Sequence, residues 1–216
     1  MGSEERRQRE RDELREKILD AARDLFLECG YEGVTMRKVA ERIEYSPTAI
    51  YLHFADKDAL FRELCSADFA KLAEAFQKAA LIADPVERLR KCAEIYIQFA
   101  VDHPNHYRLM FMTPNSATPS EEALEHKGDP NRDSYAFLQS LVHSAMEAGL
   151  FRPEFKSADL IAQTLWAAVH GVASPEITLK CNDWVRWPPL HERTQTMLDG
   201  ILRGLLHPET TKGSTE

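Results

Sequence analysis

The side chains whose types and spacing could do chemistry lie between Thr35 and Lys57, in TMRKVAERIEYSPTAIYLHFADK. Arg37, Lys38 and Arg42 offer cations, and Thr48, Ala49, Tyr51 and His53 form a narrow polar face with hydroxyl, phenol and imidazole groups. That set suits hydrogen bonding in a DNA major groove and not bond breaking. Elsewhere catalysis has no candidate. There is no Gly-rich phosphate loop, no nucleophile elbow and no His-Glu-x-x-His string, so an enzyme is not expected. Asp102, His103 and His106 come closest to a metal set. They straddle Pro104 and lack a fourth ligand at a recognisable spacing, so neither metal nor cofactor is expected. Cys29, Cys65, Cys92 and Cys181 form no CxxC pair, and three of them fall in helical apolar patterns, as small buried hydrophobes do.

Two short helices must position that polar face. Thr35 can cap a helix whose apolar positions Met36, Val39, Ala40 and Ile43 share one side, leaving Arg37, Lys38 and Arg42 on the other. Glu44 and Tyr45 make the turn. Ser46 is a second cap, Pro47 takes the first helical position, and Ile50 and Phe54 bury one side of a helix of barely two turns. So short a helix needs neighbours to hold it. The helix before it carries Leu14, Ile18, Ala21, Ala22, Leu25, Phe26 and Cys29 and is stopped by Gly30 and Gly33. Asp56 caps the helix after it, whose stripe is Leu60, Phe61, Leu64, Phe69, Leu72 and Phe76.

The run Thr35, Val39, Ala40, Ser46, Ile50, Tyr51, His53, Phe54, Lys57 and Leu60 resembles the N-terminal DNA-binding domain of the TetR transcriptional regulators. It covers a quarter to a third of the chain, and many positions agree in type and spacing. Where the family usually has Gly this chain has Glu44, so the turn takes Glu in a left-handed conformation at some cost or adopts another geometry. The resemblance implies that Thr35, Tyr51, His53 and Lys57 hold phosphates, that Arg37, Tyr45, Thr48 and Ala49 face base edges, and that Ser46 belongs to the same DNA-binding surface. It further implies a ligand-responsive repressor that binds a palindromic operator as a homodimer. The alternative from another class is a helical small-molecule-binding protein or enzyme with a vestigial helix-turn-helix.

The 216 residues, 44% hydrophobic and 29% charged, are enough for a substantial core, and the absence of an apolar run of membrane-spanning length or of a leader predicts a cytoplasmic protein with no membrane partner. Net charge is −8, and residues 1–60 count 11 basic against 14 acidic side chains, so attraction to DNA depends on local placement. Residues 1–12 read as a solvated, flexible tail more than a minor-groove arm, 13–60 as the helix-turn-helix domain, 61–207 as a ligand-binding and dimerisation domain, and 208–216 as a second flexible tail. No strand pattern appears, and the expected fold is all-α.

In the C-terminal part, helices are expected from Asp84, over Tyr107 to Met112, from Asp133, over Ala158 to Val172 and from about Leu190 to Leu206. Residues 113–131 read as a mobile loop. Trp166, His170 and Gly171 resemble a motif of one branch of the family. Phe69, Tyr96, Phe99, Tyr107, Met110, Phe111, Phe137, Trp166 and His170 are candidates to line a pocket for an apolar or aromatic effector. Ile161, Leu165 and Val169 with Met197, Leu198, Gly200, Ile201, Gly204 and Leu205 are candidates for a dimer interface, the glycines allowing close approach.

Overall fold

The computed structural model describes residues 3–114, 124–180 and 184–208; the C-terminal tail beyond 208, Cys181 and residues 115–123 of the expected loop lie outside them. The described chain is helical: α1 (Ser3–Gly33), α2 (Met36–Arg42), α3 (Pro47–Tyr51), α4 (Lys57–Ala80), α5 (Pro85–Asp102), α6 (Pro104–Met112), α7 (Ser134–Glu147), α8 (Ala158–Thr178) and α9 (Leu190–Leu205). Among the described residues β structure is confined to one antiparallel bridge between Phe151 and Leu206. No helix among them is long and apolar enough to cross a membrane.

The caps expected at Thr35, Ser46 and Asp56 are formed, and three more helices are capped in the same way. Thr35, Ser46, Asp56, Asp84, Asp133 and Ser157 each accept a backbone N–H of the first turn that has no intrahelical partner. Two boundaries differ from expectation. α1 starts at Ser3, and residues 4–13 are exposed helix supported by spacing-four pairs, Gln8 to Asp12 at 2.9 Å and Arg6 with Glu10 at 3.5 Å. α8 runs past Val172 to Thr178 with Pro175 inside it, its last turns tied by Glu176 to Arg193 and, at 2.6 Å, to Lys180. Gly30 (φ 70°) bends α1, leaving one further turn, Tyr31–Gly33.

The chain forms two compact units, residues 1–69 with 105–125, and 70–104 with 126–216. α4 therefore passes from one into the other at Phe69/Ala70, and α6 belongs to the first. The first unit's core shows why. Ile18, Ala22, Leu25, Phe26, Tyr31, Val34, Val39, Ile50 and Phe54 are joined there by Leu60, Phe61 and Leu64 of α4 and by Leu109 of α6. Phe61 stands edge-on to both Phe26 and Tyr31, at 4.9 and 5.1 Å between centroids. In the second unit α5 packs on α7 and α8, and α9 on α8.

Candidate nucleic-acid interface

The helix-turn-helix is closed by its turn. Glu44 sits at φ 61°, the left-handed alternative of the two expected, and the next N–H, that of Tyr45, reaches back to the Ala40 carbonyl at 2.9 Å. Met36, Val39, Ala40, Ile50 and Phe54 are buried beneath. Their burial leaves Tyr45 43% and Tyr51 55% exposed, with Ser46 and Thr48 exposed and Ala49 and His53 half-buried. The hydroxyls of Thr35 and Ser46 each accept a backbone N–H at 3.2 Å, from Lys38 and Ala49, so both fix the helices that carry the surface.

The cations divide by partner. Arg37 holds Glu41 at 2.9 Å, with both side chains largely in solvent, so the pair contributes about 0–1 kcal/mol and gives way cheaply to a stronger acceptor. Arg42 grips Glu28 at 3.0 and 2.6 Å, and that hydrogen bond holds the Glu28 carboxyl below its ordinary range. Lys57 gives one hydrogen to the Tyr31 carbonyl at 3.1 Å and lies 4.2 Å from that ring's centroid, which keeps its ammonium at the edge of the surface. Partial burial, then the charges of Arg11 and Arg15, hold the His53 imidazolium below its usual range. The Arg15 guanidinium lies 5.3 Å from the Phe54 centroid and pairs with Glu63 at 2.7 Å. Arg11 and Arg15 thus belong to the surroundings of His53, and the sequence reading left them out. Their four-residue spacing was the available signal.

A second omission is buried. Asp68, wholly inaccessible, receives the Arg23 guanidinium on both oxygens, and His106 Nδ1 lies 2.7 Å from its Oδ1. One carboxylate thus ties α1, α4 and α6. His106, weighed above as a metal ligand, is a hydrogen-bond partner of Asp68 here, and the His103 ring lies 5.1 Å from that of Phe99. The clue was Asp68 itself, a charge in the stripe between Leu64 and Leu72. Among the described residues no three His, Cys, Asp or Glu gather to hold a metal. Cys29 is exposed, while burial pushes the Cys65 and Cys92 thiols up to about 12.

The expected pocket residues fall in both units. In the first, Phe111 meets Phe69 at 5.5 Å and Tyr107 at 4.9 Å between centroids, beside a half-buried Met110. In the second, Trp166 Nε1 donates to Tyr96 Oη at 3.0 Å, and that oxygen lies 3.3 Å from His170 Nδ1, whose ring burial biases toward the neutral form. Phe99 and Phe137 are buried there, Phe137 stacked on Phe76 at 5.6 Å. A cleft of about 600 Å³ in this unit is lined by other side chains, among them Lys78, Lys91, Gln98, Leu190, His191 and Gln195.

The expected interface residues also separate. Ile161, Leu165, Val169, Leu198 and Leu205 are buried within the chain itself, which corrects their assignment: an apolar stripe at helical spacing does not say whether the chain's own core or a partner covers it. Gly200 and Gly204 are exposed, and Met197 and Ile201 half-buried. A Cβ on either glycine would meet no atom within 4 Å.

Comparison with known proteins agrees with this architecture. Residues 18–64 match the family model of bacterial regulatory proteins, tetR family, and residues 89–201 that of the tetracyclin repressor-like C-terminal domain. The HTH-type transcriptional repressor AcnR of Corynebacterium diphtheriae is 43% identical over 68 residues, 32% of this chain and 36% of that protein. The chain thus spans about a third of the length of the first curated relatives it matches. The repressor KstR2 of Mycobacterium tuberculosis is 24% identical over 161 residues, 72% of this chain and 80% of its own. Its structure, described as a ketosteroid transcriptional regulator, has a TM-score of 0.65 at 21% identity, covering 89% of this chain and 95% of that one. The fatty acid degradation regulator FadR of Bacillus halodurans shares the fold with a TM-score of 0.69 at 17% identity, covering 88% and 95%.

Proposed function

The chain belongs to the tetR family of bacterial transcription regulators, and from that premise we propose a repressor that binds a palindromic operator as a homodimer and leaves it when a small apolar or aromatic effector binds. The observation that carries the reading is the capped helix pair of α2 and α3, whose outer face presents Tyr45, Thr48 and Tyr51 to solvent. Arg37, Tyr45, Thr48 and Ala49 face base edges. Thr35, Ser46, Tyr51, His53 and Lys57 lie against phosphates, Lys57 through the ammonium hydrogens not given to Tyr31.

A five-residue recognition helix reads few base pairs, so two copies and two half-sites are required. Gly200 and Gly204 supply the support for a pairing face on α9. Each costs about 1 kcal/mol against Ala in a helix, and nothing in the chain packs on either. Met197 and Ile201 flank them on the same helix. In the second unit Tyr96, Phe99, Phe137, Trp166 and His170 are the residues for an apolar ligand, with the Tyr96 hydroxyl as a polar anchor. The fatty acid and ketosteroid descriptions of FadR and KstR2 support that ligand class. Phe69, Tyr107, Met110 and Phe111, candidates for the same ligand-binding role, cluster in the first unit. A coupling of about 1–3 kcal/mol would change operator affinity roughly five- to 150-fold.

The test is a gel shift at several salt concentrations with DNA from upstream of the protein's own gene. Arg37→Ala should cost about 1–3 kcal/mol, confined to one base position. An operator affinity unchanged by both Arg37→Ala and Tyr51→Ala would overturn the assignment of this surface.

A further inference from the structure

The first turns of α1 make no contact with the core: every residue from Glu4 to Glu13 is exposed, and apolar packing begins at Leu14. A helix that covers nothing needs another reason for its composition. Arg7, Arg11 and Arg15 are spaced by four, which at 3.6 residues per turn puts them in one stripe about 12 Å long. Most acids of the segment lie off that stripe: Glu5, Asp12, Glu13 and Glu16 are about 100° or more around the helix, and Glu4 falls at its far end. Nearby acceptors are already engaged, Glu10 by Arg6, Asp12 by Gln8 and Glu63 by Arg15. Arg7 and Arg11, among the described residues, have no carboxylate within ion-pair distance.

The stripe ends beside the recognition surface, since Arg15 lies against the Phe54 ring, next in the chain to His53. Arg11, one turn earlier, is close enough for its charge to lower the affinity of His53 for a proton, which agrees with this placement. The chain's net charge of −8 opposes DNA, so two cations outside ion-pair distance of any described carboxylate add local positive charge at this position, against which Asp12, whose charge also reaches His53, acts the other way.

We propose that the exposed N-terminal extension of α1 is a second DNA-contacting element, in which Arg7 and Arg11 extend the phosphate-binding surface of His53 along the duplex backbone outside the base-reading helix. This rests on the DNA-binding reading above and adds a sequence-independent contact to it. A stripe of about 12 Å spans the axial rise of three to four nucleotides of one strand, and point contacts to phosphates add affinity for every sequence alike.

The test is fluorescence anisotropy of the full chain on a duplex from upstream of its own gene and on an unrelated duplex, between 50 and 200 mM salt. Arg7→Ala/Arg11→Ala should weaken both complexes and, with two fewer phosphate contacts per protomer and so four per dimer, should make the loss of affinity over that salt range roughly 150-fold smaller. Arg7→Lys/Arg11→Lys should keep the wild-type salt dependence. Arg6→Ala, which removes a charge from the opposite side of the same helix, should leave it unchanged. A double alanine variant that binds like the wild type, while Arg37→Ala still loses the upstream duplex, overturns the extension as a contact but leaves the helix-turn-helix standing. An equal effect from Arg6→Ala overturns it in favour of net charge alone. A wild-type chain that binds neither duplex removes the DNA-binding reading and this proposal with it. Because Arg7 and Arg11 are exposed and form no ion pair among the described residues, the melting temperature should not move with either pair of substitutions, and a fall would count against a purely DNA-facing role.

Discussion

Among the described residues each of the two units buries one carboxylate, and the two are buried differently. Asp68 in the first unit has no exposed surface and is held by Arg23, itself 10% exposed, and by His106. Glu176 in the second is 6% exposed, but its partner Lys180 is 66% exposed, and Arg193 lies across the face of Trp187 with its guanidinium 5.0 Å from the centroid. Asp68 joins three helices of a unit whose recognition helix cannot stand alone, whereas Glu176 fastens the end of α8 to the start of α9. The partners of Asp68 are 10% and 22% exposed and those of Glu176 15% and 66%, so the difference lies in Lys180, the one cation of the four side chains that stands largely in water.

The largest effect should come from breaking the first. Asp68→Ala leaves Arg23 buried and unpaired and should cost about 3–5 kcal/mol in urea unfolding. Glu176→Ala, of whose two cations Lys180 can rehydrate, should cost about 1–3 kcal/mol, and equal losses would erase the distinction. Next in size, Gly204→Leu places a branched side chain where the proposed pairing needs close approach. It should give monomers in sedimentation without unfolding the protomer, since beyond its own helix backbone and chain neighbours no described atom lies within 4 Å of that Cβ. A stable dimer with that substitution would remove the glycine face from the interface.

A smaller effect, of opposite sign, is expected at the turn. Glu44→Gly removes a side chain from φ 61°, where it costs an L-residue about 1–2 kcal/mol, and after the added chain entropy of Gly should stabilise the first unit by about 1 kcal/mol at most. A thermal melt that shifts down would mean that Glu44 makes a compensating contact.

The smallest effect concerns pH. His53, by partial burial with Arg11 and Arg15, and His170, by burial, both hold protons less readily than the ordinary value of 6.5. As pH falls through 6.5 the unfolded chain takes up those protons first, so stability should decline below that point, and His53→Gln with His170→Gln should flatten the decline. Glu176 acts lower down. Burial raises its pKa, but hydrogen bonds from Lys180 and Arg193 outweigh this and hold it below 4.5, so its contribution is present above that value and lost as pH drops through the lowered one.

How legible each unit was in the sequence follows from the range of its interactions. The caps at Thr35, Ser46 and Asp56 act within three residues, and the α2 and α3 stripes repeat within eight, so the helix-turn-helix could be read directly. Glu44 could be marked as a strained turn for the same reason. Arg23 and Asp68 are 45 residues apart, and Asp68 and His106 are 38 apart, so the triad left only one trace, a charge in an apolar stripe. The bond from Trp166 to Tyr96 spans 70 residues and could not be inferred from a shared helix face. Ile161, Leu165 and Leu198 could be read as apolar but not as core, since periodicity gives the side of a helix and not what covers it. Pro175 argues for a stop, and the ties of Glu176 to Arg193 and Lys180 hold the helix past it.

The most direct test of the central claim, that two copies of the α2–α3 surface read one operator, is hydroxyl-radical footprinting on DNA from upstream of the protein's own gene. Two protected patches on one face of the duplex are predicted, with centres about 34 Å or a multiple of that apart. A single patch, or no protection at concentrations that saturate a non-specific duplex, would contradict the claim.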